Sequence, residues 1–586
     1  MKKLPLILAI ISIILMVVLT TISQKQESAT MDEVAHIPAG YSYLTQRDYR
    51  LNPEHPPLLK DLSAIPLLFI KNINFPKYLS SWTKEINSQW DFGFNFLYKS
   101  GNDADKIIFW SRLPILLLLI LLGFFIWRWT KELYGKWAAL LAIFLFTFSP
   151  TFIAHGRYVT TDVGAAFAFF VATYYFIKYL KNSSKKNLIL AGIFFGIAQL
   201  IKFSLILLIP YFALLLLIWI LITKKLNYIL KFILILIIGY ILVYPIYLFH
   251  VSNYPFQKQL SDTKFIASQF PFKPAGKLVI TLAEKPILRP YAQYLLGLFM
   301  VFQRATGGNT TYFLGEVTNK GWLSYFPIVY AIKPPLALHI LTIIALLFLG
   351  WQIPKIGNWK LEIGNWLKKY FVEISMLIFL AIYWAFSIKS NLNIGIRHIL
   401  PAFPFVYILV SGQIKRIFIY LKGLKPLKGK CLVLIGCYIF LATCLIWYGL
   451  SSLSIFPYYL THFNELVGGA KNGYIYVADS NLDWGQDLKR LAQWIDEQGI
   501  KKIKVDYFGG GTPEYYLGKK YEEWHGNWNP QDIKKGSWLA VSATFLQQGR
   551  AIATKGWNQP TDYYMWLYQY QPVTVIGNSI FVYYIQ

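Results

Sequence analysis

Asp32 and Glu33, followed by Glu54, His55 and Lys60, group ionisable side chains just beyond an apolar stretch at residues 4–22. A carboxylate can take a proton from an attacking hydroxyl, and histidine or lysine can neutralise an anion. Charge beside a bilayer is costly to dehydrate, so such a cluster points to a function. Further along the chain stand Arg157 and Asp162, Lys202, Glu316 and the pair Arg397-His398. Many cations around few carboxylates suit a phosphate-containing substrate. Arginine can bind phosphate through two parallel N–H bonds, and lysine binds it as a compact charge.

The elements that must position these groups are apolar helices. The chain has 586 residues, 55% hydrophobic and 15% charged, where a soluble domain carries roughly a quarter charged residues. Runs at 113–127, 137–153, 227–247, 370–388 and 431–450 each approach the roughly 20 residues that span hydrocarbon. The expected fold is therefore mainly α, a polytopic membrane helical bundle. Residues 4–22 read as a retained first helix. They exceed the usual signal-peptide core of about 7–15 residues, and Ser28-Ala29-Thr30 is a weak cleavage site.

The net charge of +28 raises the question of nucleic acid, but its distribution argues against that partner. Basic residues clump between apolar runs: Lys2-Lys3; Arg128, Lys131 and Lys136; Lys181, Lys185 and Lys186; Lys224-Lys225. The pattern continues at Lys355, Lys360, Lys368 and Lys369, then Lys415, Arg416, Lys422, Lys425, Lys428 and Lys430. This is the positive-inside signature of a multi-pass plasma-membrane protein. With the clumps in the cytoplasm, the N-terminus is cytoplasmic and residues 23–106 form an external loop. About eleven helices follow, near 4–22, 107–127, 137–154, 163–180, 188–223 (two short helices), 228–249, 322–350, 370–388, 399–413 and 431–450. Lys202 marks the external turn between the two short helices. An odd count places the C-terminus outside.

Two parts are expected: residues 1–450 as the membrane module and 451–586 as a small extracytoplasmic α/β domain. In the latter, 474–478, 502–508, 538–541 and 580–584 read as strands and 484–498 as an amphipathic helix. Gly509-Gly510-Gly511 reads as a turn. Asp479-x-Asn481-x-Asp483 resembles the start of a calcium loop, but position twelve is Arg490 and glycine is misplaced. Asp483 is expected to cap the helix that follows. Cys431, Cys437 and Cys444 share one apolar run without zinc-ligand spacing. Asn309-Thr310-Thr311 fits a glycosylation sequon.

Asp32-Glu33 followed by His55-Pro56-Pro57-Leu58-x-Lys60 resembles the first external loop of the protein O-mannosyltransferase family. Further matches are Gly156-Arg157-Tyr158-Val159-Thr160-Thr161-Asp162, Gly196 to Phe203, and Asn393-Ile394-Gly395-Ile396-Arg397-His398-Ile399-Leu400-Pro401. The likeness covers roughly residues 1–450. The chain is also similar to bacterial lipid A aminoarabinose transferases, which carry Glu-Lys-Pro-Pro where this chain has Glu54-His55-Pro56-Pro57. No room exists for the β-trefoil of the eukaryotic mannosyltransferases. The stretches Tyr459-x4-Asn464-Glu465-Leu466-Val467-Gly468-Gly469 and Asp479 to Leu488 look like a tail found in bacterial relatives.

The resemblance implies a GT-C-type glycosyltransferase. It would transfer a sugar from a polyprenyl-phosphate-linked donor to a hydroxyl acceptor in protein, lipid or glycan, with inversion. Asp32 would be the general base and Glu33 would orient it. Arg157, Lys202, Arg397, His398, His55 and Lys60 would bind the carrier phosphate, and Glu54, Asp162 and Glu316 could contact substrate. No metal and no cofactor are expected. Each residue also has a plainer reading: Asp32 and Asp162 as helix caps, Glu33 as a first-turn acid, and His55 and His398 as helix starts. Lys60 could simply snorkel and Glu316 could pair with a lysine. The rival classes are a lipid-sugar transporter or flippase, and a binding scaffold.

Overall fold

The computed structural model describes residues 3–352, 359–423 and 430–586. Lys2, Lys355, Lys425 and Lys428 of the basic clumps lie outside these residues. Among the described residues, eight helices are long and apolar enough to cross a membrane. Tyr325–Ile332 and Leu336–Gln352 make a ninth if the pair, bent by 110°, counts as one span. Lys333-Pro334-Pro335 explains the bend. Lys333 keeps a helical backbone, and the two prolines after it lack the N–H groups that would carry the helix on. Helices also occupy the other two expected segments, but Lys136–Thr147 has 12 residues and Lys185–Ile201 has 17. The first is cut short where Ser149 caps a new helix, Pro150–His155.

Asp162–Lys181 is the central helix, its most apolar window 94% buried. Aromatic side chains fill the space around it, with Phe176 stacked on Phe212 at 4.0 Å and Phe170 against Phe405 at 5.2 Å. Lys185–Ile201 lies close against Tyr228–Val251, because a Cβ at Gly196 would meet the Gly239 carbonyl oxygen at 2.7 Å. Small residues at such a crossing let two membrane helices approach closely.

Residues 23–106 fold into a compact layer. Met31–Gln46 packs across Leu58–Ala64, with Ala29, Val34, Ile37, Tyr43, Phe92 and Phe96 buried between neighbouring segments. A Cβ at Gly40 would lie 2.2 Å from the Lys60 carbonyl oxygen, so glycine fixes that contact. Three helices, Phe256–Ser268, Lys273–Ala283 and Arg289–Gly307, fill the second long loop.

At the C-terminal end, a five-stranded mixed sheet runs in the order Tyr521–Glu523, Ile503–Asp506, Ser537–Ser542, Ile580–Ile585, Thr574–Ile576. The first three strands are parallel, and the last two pairings are antiparallel. Leu488, Leu491 and Ile495 of the amphipathic helix cover Ile503, Val505, Ala540 and Val582. Two expectations differ from what is found. Residues 474–478 hold a helical turn, Gly473–Tyr476, and one isolated bridge from Val477 to Phe313. The amphipathic helix runs Leu488–Glu497, later than expected, because residues 479–487 are engaged with the membrane bundle. Unforeseen in the sequence, Thr311–Phe313, Glu316–Thr318 and Ile552–Ala553 form a second, three-stranded sheet joining a loop to the C-terminal part.

Candidate functional site

Met31–Gln46 opens with a capping box in which Thr30 and Glu33 satisfy each other's backbone N–H groups. The Glu33 carboxylate also accepts from Arg112 Nε at 2.8 Å, Arg112 Nη2 at 2.7 Å and the Val159 N–H at 3.0 Å. It is fully buried and fully engaged. Successive helical residues point about 100° apart, so Asp32 faces elsewhere. Its side chain keeps 24% of its surface open and accepts from Arg397 Nη1 at 2.7 Å.

Arg397 Nη1 also reaches Asp162 at 3.3 Å, and Asp162 accepts from Lys202 Nζ at 2.6 Å. Four side chains from distant parts of the sequence thus alternate in charge: Asp32, Arg397, Asp162, Lys202. Each sits where an element breaks. Asp162 begins Asp162–Lys181, and Lys202 occupies the extended residue after Lys185–Ile201. Arg397 lies in the 3-10 turn Ile396–Ala402, behind Gly395 at φ +135°. Side chains would not tolerate that backbone angle, and a Cβ there would meet Ser480 Oγ at 2.5 Å. Burial acts to raise the Asp32 pKa, but the charge and hydrogen bond of Arg397 outweigh it, leaving the carboxyl below its usual range. Asp32 is accordingly an ionised, partly open carboxylate at neutral pH.

Three histidines adjoin this group. His36, one helical turn after Asp32, bonds through Nδ1 to the Val159 carbonyl at 2.8 Å and meets His55 edge-on at 5.1 Å. Burial lowers the pKa of both His36 and His55, so both are neutral at pH 7. His55 Nδ1 and His398 Nε2 are buried without a hydrogen-bond partner, and buried polar atoms of that kind call for a ligand or water.

The other residues singled out in the sequence lie elsewhere. Arg157 is fully buried and paired with Glu27 through two bonds, Nε at 2.8 Å and Nη2 at 2.6 Å, with Ser23 Oγ at 2.7 Å. Lys60 Nζ donates to Tyr43 Oη, Asn52 O, Asn52 Oδ1 and His55 O, all within 2.9 Å. Its burial, only partly offset by Glu54 and Asp61, lowers its pKa to about 7. Glu54 accepts from Gln89 and Asn87. Glu316 lies on a strand, opposite Phe313 and beside Ile552. Asp483 does not cap the amphipathic helix; its Oδ2 accepts from the Thr544 N–H, in the first turn of Ala543–Gln548.

Sequence reasoning missed the partners. Glu27, Glu33 and Asp487 balance Arg112, Arg157 and Arg490 in a buried ionic network joining the first loop, the bundle and the C-terminal part. Arg112 at the edge of an apolar run was the available signal, since a charge there needs a counter-ion. Ser480 and Trp484 also contact Arg397. Among the described residues, no three His, Cys, Asp or Glu side chains are grouped to hold a metal ion.

Residues 104–249 match the family model described as Dolichyl-phosphate-mannose-protein mannosyltransferase. No curated protein matches the sequence. The chain is similar to ArnT from Cupriavidus metallidurans, solved bound to undecaprenyl phosphate, with 12% identity over 98% of this chain and 97% of that one, at a TM-score of 0.44. It is similar to the oligosaccharyltransferase of Archaeoglobus fulgidus in the apo form at 13% identity, covering 89% of this chain and 64% of that one, TM-score 0.48. The S. cerevisiae Pmt1-Pmt2 complex bound to the sugar donor shows 18% identity over 44% of this chain and 33% of that one, TM-score 0.29. The family match spans residues 104–249, about a quarter of the chain, and eight helices among the described residues are long and apolar enough to cross a membrane.

Proposed function

We propose that this protein transfers a sugar, with inversion, from a polyprenyl-phosphate carrier to a hydroxyl of a protein, lipid or glycan acceptor. The transfer takes place at the outer face of the plasma membrane, with the N-terminus in the cytoplasm and the C-terminal part outside. The observation that carries the reading is the contact of Asp32 with Arg397, itself linked through Asp162 to Lys202. A base and two phosphate-binding cations then meet around one partly open point.

The chemistry follows from the leaving group. A phosphate-linked sugar departs as a stable phosphate ester, so no general acid is needed. What the reaction needs is a preorganised positive field where negative charge grows. Arg397 and Lys202 supply it, and the unpartnered ring nitrogens of His398 and His55 are candidates for further phosphate or sugar contacts. Asp32 removes the proton of the acceptor hydroxyl as it attacks the anomeric carbon in line. Arg157, Lys60 and Glu33, each engaged by other protein groups, hold the frame behind these residues.

Incubating full-length protein in detergent with radiolabelled polyprenyl-phosphate-mannose and cell-envelope extract tests the reading. An enzyme consumes the donor and labels an acceptor, with other polyprenyl-phosphate sugars run in parallel to define the sugar. A flippase or scaffold leaves every donor intact, and that result would refute the proposal.

A further inference from the structure

Residues 480–487 form no long helix or strand, yet Ser480, Asn481, Asp483, Trp484, Gln486 and Asp487 are all buried. Their bonds run to Arg397 and its neighbour Ile396 on one side and to the chain just before Asp32 on the other. On the arginine side, Ser480 Oγ accepts from Arg397 Nε at 3.0 Å, and Asn481 Oδ1 accepts from the Ile396 N–H at 3.0 Å. The Trp484 ring centre lies 4.2 Å from the guanidinium carbon. On the aspartate side, the Trp484 carbonyl accepts from the Met31 N–H at 3.1 Å, one residue before Asp32. The Gln486 carbonyl accepts from the Ser28 N–H at 3.1 Å, and the Gly485 carbonyl accepts from the Ser28 hydroxyl at 2.6 Å. Gly510, in the glycine turn, donates to the Ala29 carbonyl at 3.2 Å.

A guanidinium is a planar fork whose aim is set by what lies on its face and at its edges. Here the aromatic face is Trp484, the Nε edge is held by Ser480, and Nη1 is left for Asp32 and Asp162. The tryptophan that stacks on the arginine also anchors, through its own carbonyl, the helix turn carrying the aspartate. One residue therefore sets the spacing of the pair from both ends.

We propose that Trp484 and Ser480 are positioning residues of the transferase site, so that the C-terminal segment completes the site by fixing Arg397 against Asp32. This rests on the functional reading above. Small errors in the placement of reacting groups are expensive: a misplacement of about 1 Å can cost on the order of 100-fold.

The test uses full-length protein in detergent with the labelled polyprenyl-phosphate sugar that the wild type consumes. Trp484→Leu is expected to lower kcat about 10- to 100-fold with little change in donor KM. The acid limb of its pH profile should move upward, because a loosened Arg397 no longer holds the Asp32 carboxyl down. Trp484→Phe, which keeps an aromatic face, should stay within about threefold of wild type. Trp538→Phe, in the sheet beside Trp494 and Tyr584, should leave kcat unchanged. If Trp484→Leu does not elute as folded protein, Ser480→Ala carries the same test, with Ser480→Thr expected to restore turnover. An active wild type with Trp484→Leu or Ser480→Ala unchanged in kcat and pH profile overturns this inference alone. Equal losses in Trp484→Phe and Trp484→Leu, without a shift of the acid limb, do the same. A wild type that consumes no donor overturns the functional reading and this inference with it.

Discussion

Replacing Glu33 by glutamine should destabilise the protein far more than replacing its neighbour Asp32 by asparagine. Glu33 is fully buried and accepts from the Thr30 N–H, from two Arg112 N–H groups and from the Val159 N–H. Arg112 is itself 1% exposed, and the next carboxylate, Glu27, lies 4.0 Å from its Nη1 and is already bonded to Arg157. Removing one partner of such a pair leaves an uncompensated buried charge, a cost of about 3–5 kcal/mol. Asp32 is partly open, and in its absence Arg397 keeps Asp162 at 3.3 Å. That loss should therefore be roughly 1 kcal/mol or less. The assay is the midpoint at which full-length protein, heated in detergent, stops eluting as a single species on size exclusion. Glu33→Gln should lower that midpoint by several degrees and Asp32→Asn should barely move it. Equal midpoints for the two variants would refute the assignment of Glu33 to the frame.

Lys202→Met should weaken binding of undecaprenyl phosphate roughly 10- to 150-fold, the worth of one charge-assisted hydrogen bond of about 1.5–3 kcal/mol, as read by isothermal titration; unchanged affinity would remove Lys202 from the phosphate site. EDTA should leave sugar transfer unchanged, and a loss restored by added divalent ion would contradict the metal-free scheme. Burial raises the Asp483 pKa to about 8, partly offset by its bonds to Thr544. A raised carboxyl pKa stabilises the fold most at low pH, and that contribution fades as pH climbs from the ordinary carboxylate range to about 8. Asp483→Asn should therefore raise the melting midpoint by an amount that grows between about pH 4 and pH 8 and then levels off; a pH-independent difference would contradict this.

The membrane class was legible because apolar runs and basic clumps are written directly in the composition of each segment. Helix ends were less legible: the helix expected to end at 127 runs on to Tyr134 before Gly135, the one expected over 137–154 breaks before Pro150, and the sharp bend after Ile332 depended on how Lys333-Pro334-Pro335 is packed. Asp32, Asp162, Lys202 and Arg397 could be picked out as charges beside apolar sequence. What no spacing could tell is which charge answers which: Glu33 and Arg157 read like site residues until Arg112 and Glu27 are seen beside them. Pairings across hundreds of residues, such as Arg397 with Asp32 or Ser480, follow from tertiary packing. The same holds for the strand Ile552–Ala553, too short to leave a periodic signal, which pairs with Glu316–Thr318.

Single-turnover transfer by Asp32→Asn, compared with wild type on the same labelled polyprenyl-phosphate sugar, addresses the central claim directly. Loss of the general base should slow the chemical step about 100- to 10,000-fold. Binding of undecaprenyl phosphate should be retained or tightened, since a negative charge has left the vicinity of Arg397 and Lys202. Turnover within a few-fold of wild type would mean that the acceptor proton goes elsewhere, and the mechanism built on Asp32 would be wrong.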